Sequence, residues 1–235
     1  MQIMQRILLA SLLLTLFGCG SSSSSAEPSS TNPSSTNPSN TNPSSNHAEL
    51  AAPAHDDPSV VYEAGDEAVA YFAGGCFWCM EGPFEALEGV SEVVSGYTDG
   101  DLPNPSYRQV SSGSTGHAEA IRVVYDPSRV TYEQLLEVFW HNIDPTDGGG
   151  QFCDRGSQYR TGIYVRNAEE RLAAEASKRR VAEELGQAIA TEIHDATTFY
   201  DAEAYHQDFH HTHPVRYTTY RRGCGRDARL NELWN

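Results

Sequence analysis

Between Gly20 and Pro58 the chain is a low-complexity run that cannot form a core, and this confines any fold to the residues after it. The run holds a serine tract, then Glu-Pro-Ser-Ser, then three near-identical pentapeptides beginning at Thr31, Thr36 and Thr41. Ser, Asn and Pro bury too little apolar surface to offset chain entropy. The prolines keep such a chain semi-extended. Three parts are therefore expected: residues 1–19 as a lipoprotein-type signal segment, 20–59 as a disordered tether, and 60–235 as the folded domain.

The first part has a single early charge, Arg6, then an apolar run from Ile7 to Phe17 broken only by Ser11 and Thr15. It is shorter than the ~20 residues of a spanning helix. It ends in Leu16-Phe17-Gly18-Cys19, a box like that at which bacterial lipoproteins are cut. Cys19 is the expected lipid anchor. The expected location is the cell envelope, attached to a membrane on its extracytoplasmic or periplasmic face. Net charge is −16, from 16 basic and 32 acidic residues. Such a surface repels polyanions, and no nucleic-acid partner is expected.

Within the domain, hydrophobic period and turn residues mark the elements. Val69 to Ala73 reads as a strand running into Gly74-Gly75. Phe77 to Leu87 reads as a helix stopped by Gly89, and Val90 to Thr98 as a strand. Ala118 to Tyr125 is a strand closed by Asp126-Pro127. Thr131 and Gln134 form a capping box before Leu135, Leu136, Val138, Phe139 and Trp140. Thr161 to Val165 is a strand, and Ala168 to Leu185 is a helix ending at Gly186. A short strand near Glu192 and a helix from Ala202 to Phe209 complete the series. Asp144 to Gly156 reads as loop and the tail from His213 as irregular. This mixture predicts an α/β sandwich with a mixed sheet.

Four cysteines fall in the domain: Cys76, Cys79, Cys153 and Cys224. Two structural disulfides are the default in an exported protein. Cys76 departs from that default. It follows a strand and two glycines and opens a helix, whose N-terminal partial charge favours a thiolate. Phe77 and Trp78 put apolar surface beside the sulfur. Glu119 lies on the same strand face as Ile121, Val123 and Tyr125. Buried there, its pKa rises and it can serve as a general acid. Cys76-x-x-Cys79 alone leaves thioredoxin-like disulfide chemistry open. His206, His210, His211 and His213 leave open a noncatalytic metal-binding lipoprotein. No acid or cysteine spacing accompanies these histidines in sequence, so no metal is expected.

Gly75-Cys76-Phe77-Trp78 resembles the signature of the methionine sulfoxide reductase A family. The resemblance continues through Pro105-Ser106-Tyr107-Arg108, Gly116-His117-Ala118-Glu119-Ala120 and Asp126-Pro127. It goes on at Val138-Phe139-Trp140, Asp144-Pro145, Asp154 to Arg160, Phe199-Tyr200, Ala202-Glu203 and His206-Gln207. It implies a ferredoxin-like two-layer sandwich with additional elements. It implies reduction of the S epimer of methionine sulfoxide, free or in proteins, without metal or organic cofactor. Cys76 would be the nucleophile that becomes a sulfenic acid. Glu119 would protonate the sulfoxide oxygen, Tyr107 and Tyr159 would hold that oxygen, and Asp154 would support the site. Phe77 and Trp78 would receive the substrate methyl group.

Envelope proteins with oxidised methionines are the expected substrates. A thioredoxin-like protein is the expected electron donor, and the chain is expected to be a monomer. Cys79 and Cys153 depart from the pattern of many family members, which leaves the recycling thiol open. Cys224, between Gly223 and Gly225, is the favoured resolving cysteine, with Cys79 and Cys153 as alternatives.

Overall fold

The computed structural model describes residues 67–235. The signal segment, the tether and Cys19 lie outside the described residues. In chain order the elements are β1 (Ala68–Gly74), α1 (Trp78–Glu85), β2 (Val90–Thr98), α2 (Tyr107–Ser111), β3 (Ala118–Tyr125) and α3 (Tyr132–His141). Next come β4 (Gly150–Gln151), β5 (Asp154–Arg155), β6 (Thr161–Val165), α4 (Ala168–Leu185), β7 (Glu192–Asp195) and β8 (Tyr200–Asp201). The chain ends in α5 (Phe209–Thr212), α6 (Pro214–Gly223) and α7 (Arg226–Trp234).

Six strands form one sheet in the order β7-β6-β1-β3-β2-β8. The inner four, β6-β1-β3-β2, pair antiparallel throughout, and α1 and α3 follow β1 and β3 in sequence. This is the ferredoxin-like split βαβ arrangement. The parallel β6–β7 pair makes the sheet mixed, and β8 extends the other edge.

Strand alternation sorts side chains to the two faces. Ala70 and Phe72 of β1 and Ile121, Val123 and Tyr125 of β3 point into the main core. There they meet Met80 and Phe84 of α1, Leu135, Leu136, Phe139 and Trp140 of α3, and Ala174 and Val181 of α4. Each such fully buried aromatic or large aliphatic side chain contributes about 1.5–3 kcal/mol. Trp140 satisfies its indole N–H by donating to Ser177 Oγ at 2.9 Å. Tyr71, Ala73, Ala118, Ala120 and Tyr164 line the opposite face, where Phe199 packs.

The expected boundaries of α4 hold, from the Asn167 cap, whose side chain accepts from Glu170 N, to Gly186 at φ 61. So does the Thr131–Gln134 capping box of α3. Three segments differ from expectation. Residues 202–209 do not make one helix. A 3-10 turn at Ala204–His206 and the single turn α5 are separated by Asp208 at φ 51. The competing partner is Gln207, whose amide brackets β2: it accepts from Ser95 N at 2.9 Å and donates to Ser95 O at 2.9 Å. The expected loop 144–156 contains the β4–β5 hairpin. The tail from His213, expected irregular, forms α6 and α7, with Pro214 at the start of α6 and Gly225 at φ 74 between them. Cys224, capping α6, is bonded to Cys153 across 71 residues.

Candidate active site

Cys76 lies in the turn between β1 and α1, just past the C-terminal end of an inner strand of the sheet. Gly75 makes this turn possible. Its φ is +82, and a Cβ there would come within 2.5 Å of the Gln151 side chain. Cys79 N donates to Cys76 O at 3.0 Å, closing the first turn. The helix proper begins at Trp78, with Phe77 as its N-cap.

Glu119 is brought to this turn from β3. It is 2% exposed and accepts from Phe77 N at 3.2 Å. Burial pushes its carboxyl up to about 8, against the opposing pull of that N–H. At neutral pH it therefore holds a proton that it can give away. Cys76 and Cys79 are both buried free thiols joined by a hydrogen bond. Burial, then Cys79, pushes the Cys76 thiol up. The bond from Cys76 brings Cys79 down to about 6 against its burial, helped by Arg226 and Arg221. The pair thus retains one proton between two sulfurs above that pH. That proton sits on Cys76 and leaves Cys79 as the thiolate, the reverse of the expectation from the helix start, because burial outweighs the helix charge at Cys76; attack by Cys76 requires its proton to pass to Cys79.

Three phenols surround the sulfur. Tyr107, at the start of α2, and Tyr159, in the 3-10 turn after β5, share a hydrogen bond. Burial raises Tyr107 to about 12 and also raises Tyr159, with Glu119 the next cause for each, so both remain donors. Tyr220 of α6 hydrogen-bonds Cys76 and donates to Asp154 Oδ2. Burial raises the Asp154 carboxyl, and the Tyr220 bond opposes it.

An aromatic wall stands beside these groups. Trp78 stacks on Phe209 of α5, with ring centroids 3.7 Å apart and planes 6° from parallel. Its indole N–H donates to His206 Nδ1 at 3.1 Å. His206 in turn packs on Tyr107 at 4.4 Å and on Phe77 at 5.0 Å. Phe77 itself is buried in the core. Glu203 accepts from Tyr107 N and from Tyr97 Oη, each at 2.9 Å, and so fixes α2 against β2.

The residues expected together from sequence, Cys76, Glu119, Tyr107, Tyr159, Asp154 and Trp78, thus converge at one place. Cys224 is not a free thiol near Cys76. It is disulfide-bonded to Cys153, with Cα atoms 4.9 Å apart. Both sulfurs lie 3.8 Å from Asp154 carboxylate oxygens, and Asp154 is joined through Tyr220 to Cys76.

The sequence reading missed Tyr220, Arg226 and Glu203 as site residues. Arg226 is 1% exposed and donates to Gly74 O at 2.9 Å and to Asn142 O at 2.7 Å. It clamps the turn that carries Cys76. The one available signal was the clustering of Arg216, Arg221, Arg222, Arg226 and Arg229 in the tail of an acidic chain.

The sequence profile of the peptide methionine sulfoxide reductase family matches residues 68–235. Peptide methionine sulfoxide reductase MsrA of Bacillus licheniformis is 51% identical over 168 residues, covering 71% of this chain and 93% of that protein. The enzyme of the same name from Bacillus subtilis is 50% identical, with 71% and 95% covered. Among solved structures, reduced Mxr1 from Saccharomyces cerevisiae superposes with a TM-score of 0.62 at 31% identity, covering 67% of this chain and 91% of that one. Methionine sulfoxide reductase A of Corynebacterium diphtheriae gives 0.58 at 32% identity, with 69% and 82% covered. With the whole folded domain matched and the site assembled from the same stretch, the chain belongs to the peptide methionine sulfoxide reductase family.

Proposed function

We infer that this chain reduces the S epimer of methionine sulfoxide to methionine in oxidised proteins, with Cys76 as nucleophile and Glu119 as acid. The observation that carries this reading is the Phe77 N–H bond to Glu119, which ties a protonated carboxyl to the turn bearing a buried thiol pair. A sulfoxide sulfur is a modest electrophile, and attack on it succeeds only if its oxygen is protonated as it leaves. The Cys76 thiolate attacks that sulfur. Glu119 gives its proton to the oxygen, which Tyr107 and Tyr159 hold by hydrogen bonds. The S–O bond breaks with transfer of the hydroxyl to Cys76. Methionine departs reduced by two electrons, and Cys76 is left as a sulfenic acid. Phe77 and Trp78, the latter backed by the stacked Phe209, receive the methyl group and exclude water.

Recycling is set by the positions of the thiols. Cys79, already hydrogen-bonded to Cys76, attacks the sulfenic sulfur and expels water, giving a Cys76–Cys79 disulfide. Reduced Cys224 and Cys153 then exchange with this disulfide. That restores both site thiols and leaves Cys153–Cys224 oxidised, the arrangement of sulfurs in this structure. A thioredoxin-like dithiol reduces this outer pair, of which Cys153 is exposed. Cys79 thus replaces Cys224 as the first resolving thiol.

The lipid anchor at Cys19 and the tether of residues 20–59 are part of the same proposal. They would hold the domain at a membrane surface, where oxidised envelope proteins are its substrates. Support comes from the short apolar run, the Leu16-to-Cys19 box and the Ser/Asn/Pro composition. Among the described residues, no helix is long and apolar enough to cross a membrane.

The test is turnover of the two methionine sulfoxide epimers with dithiothreitol. Only the S epimer should be reduced, and Cys76→Ser should give no product. Equal turnover of both epimers, or product from Cys76→Ser, overturns the assignment.

A further inference from the structure

The turn that brings Phe209 to Trp78 also carries two adjacent histidines, His210 and His211. Two glutamates one helical turn apart on α1, Glu81 and Glu85, meet them. His210 Nε2 lies 3.1 Å from Glu85 Oε2, and His211 Nε2 lies 3.4 Å from the same oxygen. One ligand atom from each of the three residues lies within 4.8 Å of the others. Zinc bonds of ~2.0–2.1 Å at tetrahedral angles set neighbouring ligand atoms about 3.3 Å apart. Both spacings to Glu85 are those of ligands around one ion.

The residue behind His210 supplies a second, independent observation. His210 Nδ1 lies 3.7 Å from Glu81 Oε2, and Glu81 is 0% exposed. Both of these atoms are buried without a hydrogen-bond partner. The other Glu81 oxygen accepts from Ser95 Oγ at 2.8 Å and from Asp208 N at 3.2 Å, so the carboxylate is fixed in place. A cation on Nε2 puts the imidazole proton on Nδ1 and aims it at Glu81. Metal-binding histidines are oriented by a carboxylate in this way.

We propose that Glu85, His210 and His211 bind one divalent cation of the zinc class, with Glu81 as the carboxylate that orients His210. Two imidazoles and a carboxylate are a zinc-type ligand set, and the exposure of His211 leaves a fourth position to water. The ion ties α5 to α1 beside Phe209, which backs the Trp78 wall. Its role is to hold that wall, away from the sulfur chemistry. The expectation of no metal rested on histidines without acids, and the fold supplies the acids from α1.

The experiment titrates zinc chloride into the full chain carrying Cys76→Ser and Cys79→Ser, with the Cys153–Cys224 disulfide intact, so that no thiol of the folded domain competes. Calorimetry should give one equivalent. Cobalt(II) in the same protein should give tetrahedral visible bands without thiolate charge transfer. His211→Ala lies on a side chain 70% exposed, leaves the core untouched, and should weaken binding at least ~10-fold, as should Glu85→Gln. Glu81→Gln should weaken it by ~10–100-fold, the usual worth of an orienting partner. Absence of a one-equivalent site overturns the proposal. So does affinity that is unchanged in His211→Ala and Glu85→Gln.

Discussion

Replacing Glu119 by glutamine should slow the chemistry while stabilising the fold, and pH should separate the two effects. Glutamine keeps the shape and can still accept from Phe77 N, the hydrogen bond that ties this side chain to the Cys76 turn. It loses the transferable proton. Burial raises the Glu119 carboxyl from 4.5 to about 8. The folded chain therefore keeps a proton that the unfolded chain has already released. This contribution to stability is fully present below about pH 4.5 and is lost as pH rises toward 8. At pH 7 the loss spans about 2.5 pH units, or about 3 kcal/mol, and it levels off at about 5 kcal/mol above pH 8. Glu119→Gln escapes it. Urea unfolding of the two proteins, both with Cys153–Cys224 oxidised, should give a stability difference near zero at pH 4. That difference should grow to about 3 kcal/mol in favour of the variant at pH 7. In rapid-quench single turnovers the variant should be slower by ~10²–10⁴-fold. The parent rate should rise through about pH 6, where the Cys76–Cys79 pair ionises, and fall above about pH 8 as Glu119 deprotonates. The variant should lack the alkaline fall. A stability difference that ignores pH, or an unchanged single-turnover rate, refutes the reasoning.

The remaining predictions concern recycling and the N-terminus. Cys79→Ser should release about one methionine per enzyme, stall with a thioredoxin donor and recover partly with dithiothreitol. Cys224→Ser should turn over with dithiothreitol and lose most of its thioredoxin-supported rate; if Cys79→Ser instead turns over normally with thioredoxin, Cys79 is not the resolver. A chain beginning at Val60 should keep its circular dichroism and its dithiothreitol-driven activity, and Cys19→Ser in the full chain should abolish labelling by radioactive fatty acid.

The difference between legible and illegible parts of this chain has a physical basis. α3 and α4 were readable because each repeats a helical burial spacing and carries a polar cap, and β1 and β3 because each is a short apolar-rich run bounded by turn residues. Glu119 was readable because three apolar partners on its strand fix the face on which it lies. The tail offers no such repeat. α6 buries no residue completely, and α7 buries only Arg226 and Leu230. Charged side chains are almost never fully buried unless paired, so an arginine in sequence argues for surface. Here the argument fails because Arg226 satisfies its guanidinium on two carbonyl oxygens, Gly74 O and Asn142 O, contributed by distant segments. Neither acceptor has a sequence signature, because every residue carries a carbonyl. The same long-range bonding explains the Cys224 result. Cys224 between two glycines read as the resolving thiol, yet Gly225 terminates one helix and starts another, and α6 holds Cys224 against Cys153. The consequence is chemical as well as architectural. Arg226 lends positive charge to Cys79 while gripping the turn that holds Cys76, so the tail that read as irregular adds to the hydrogen bond from Cys76 in lowering the Cys79 thiol.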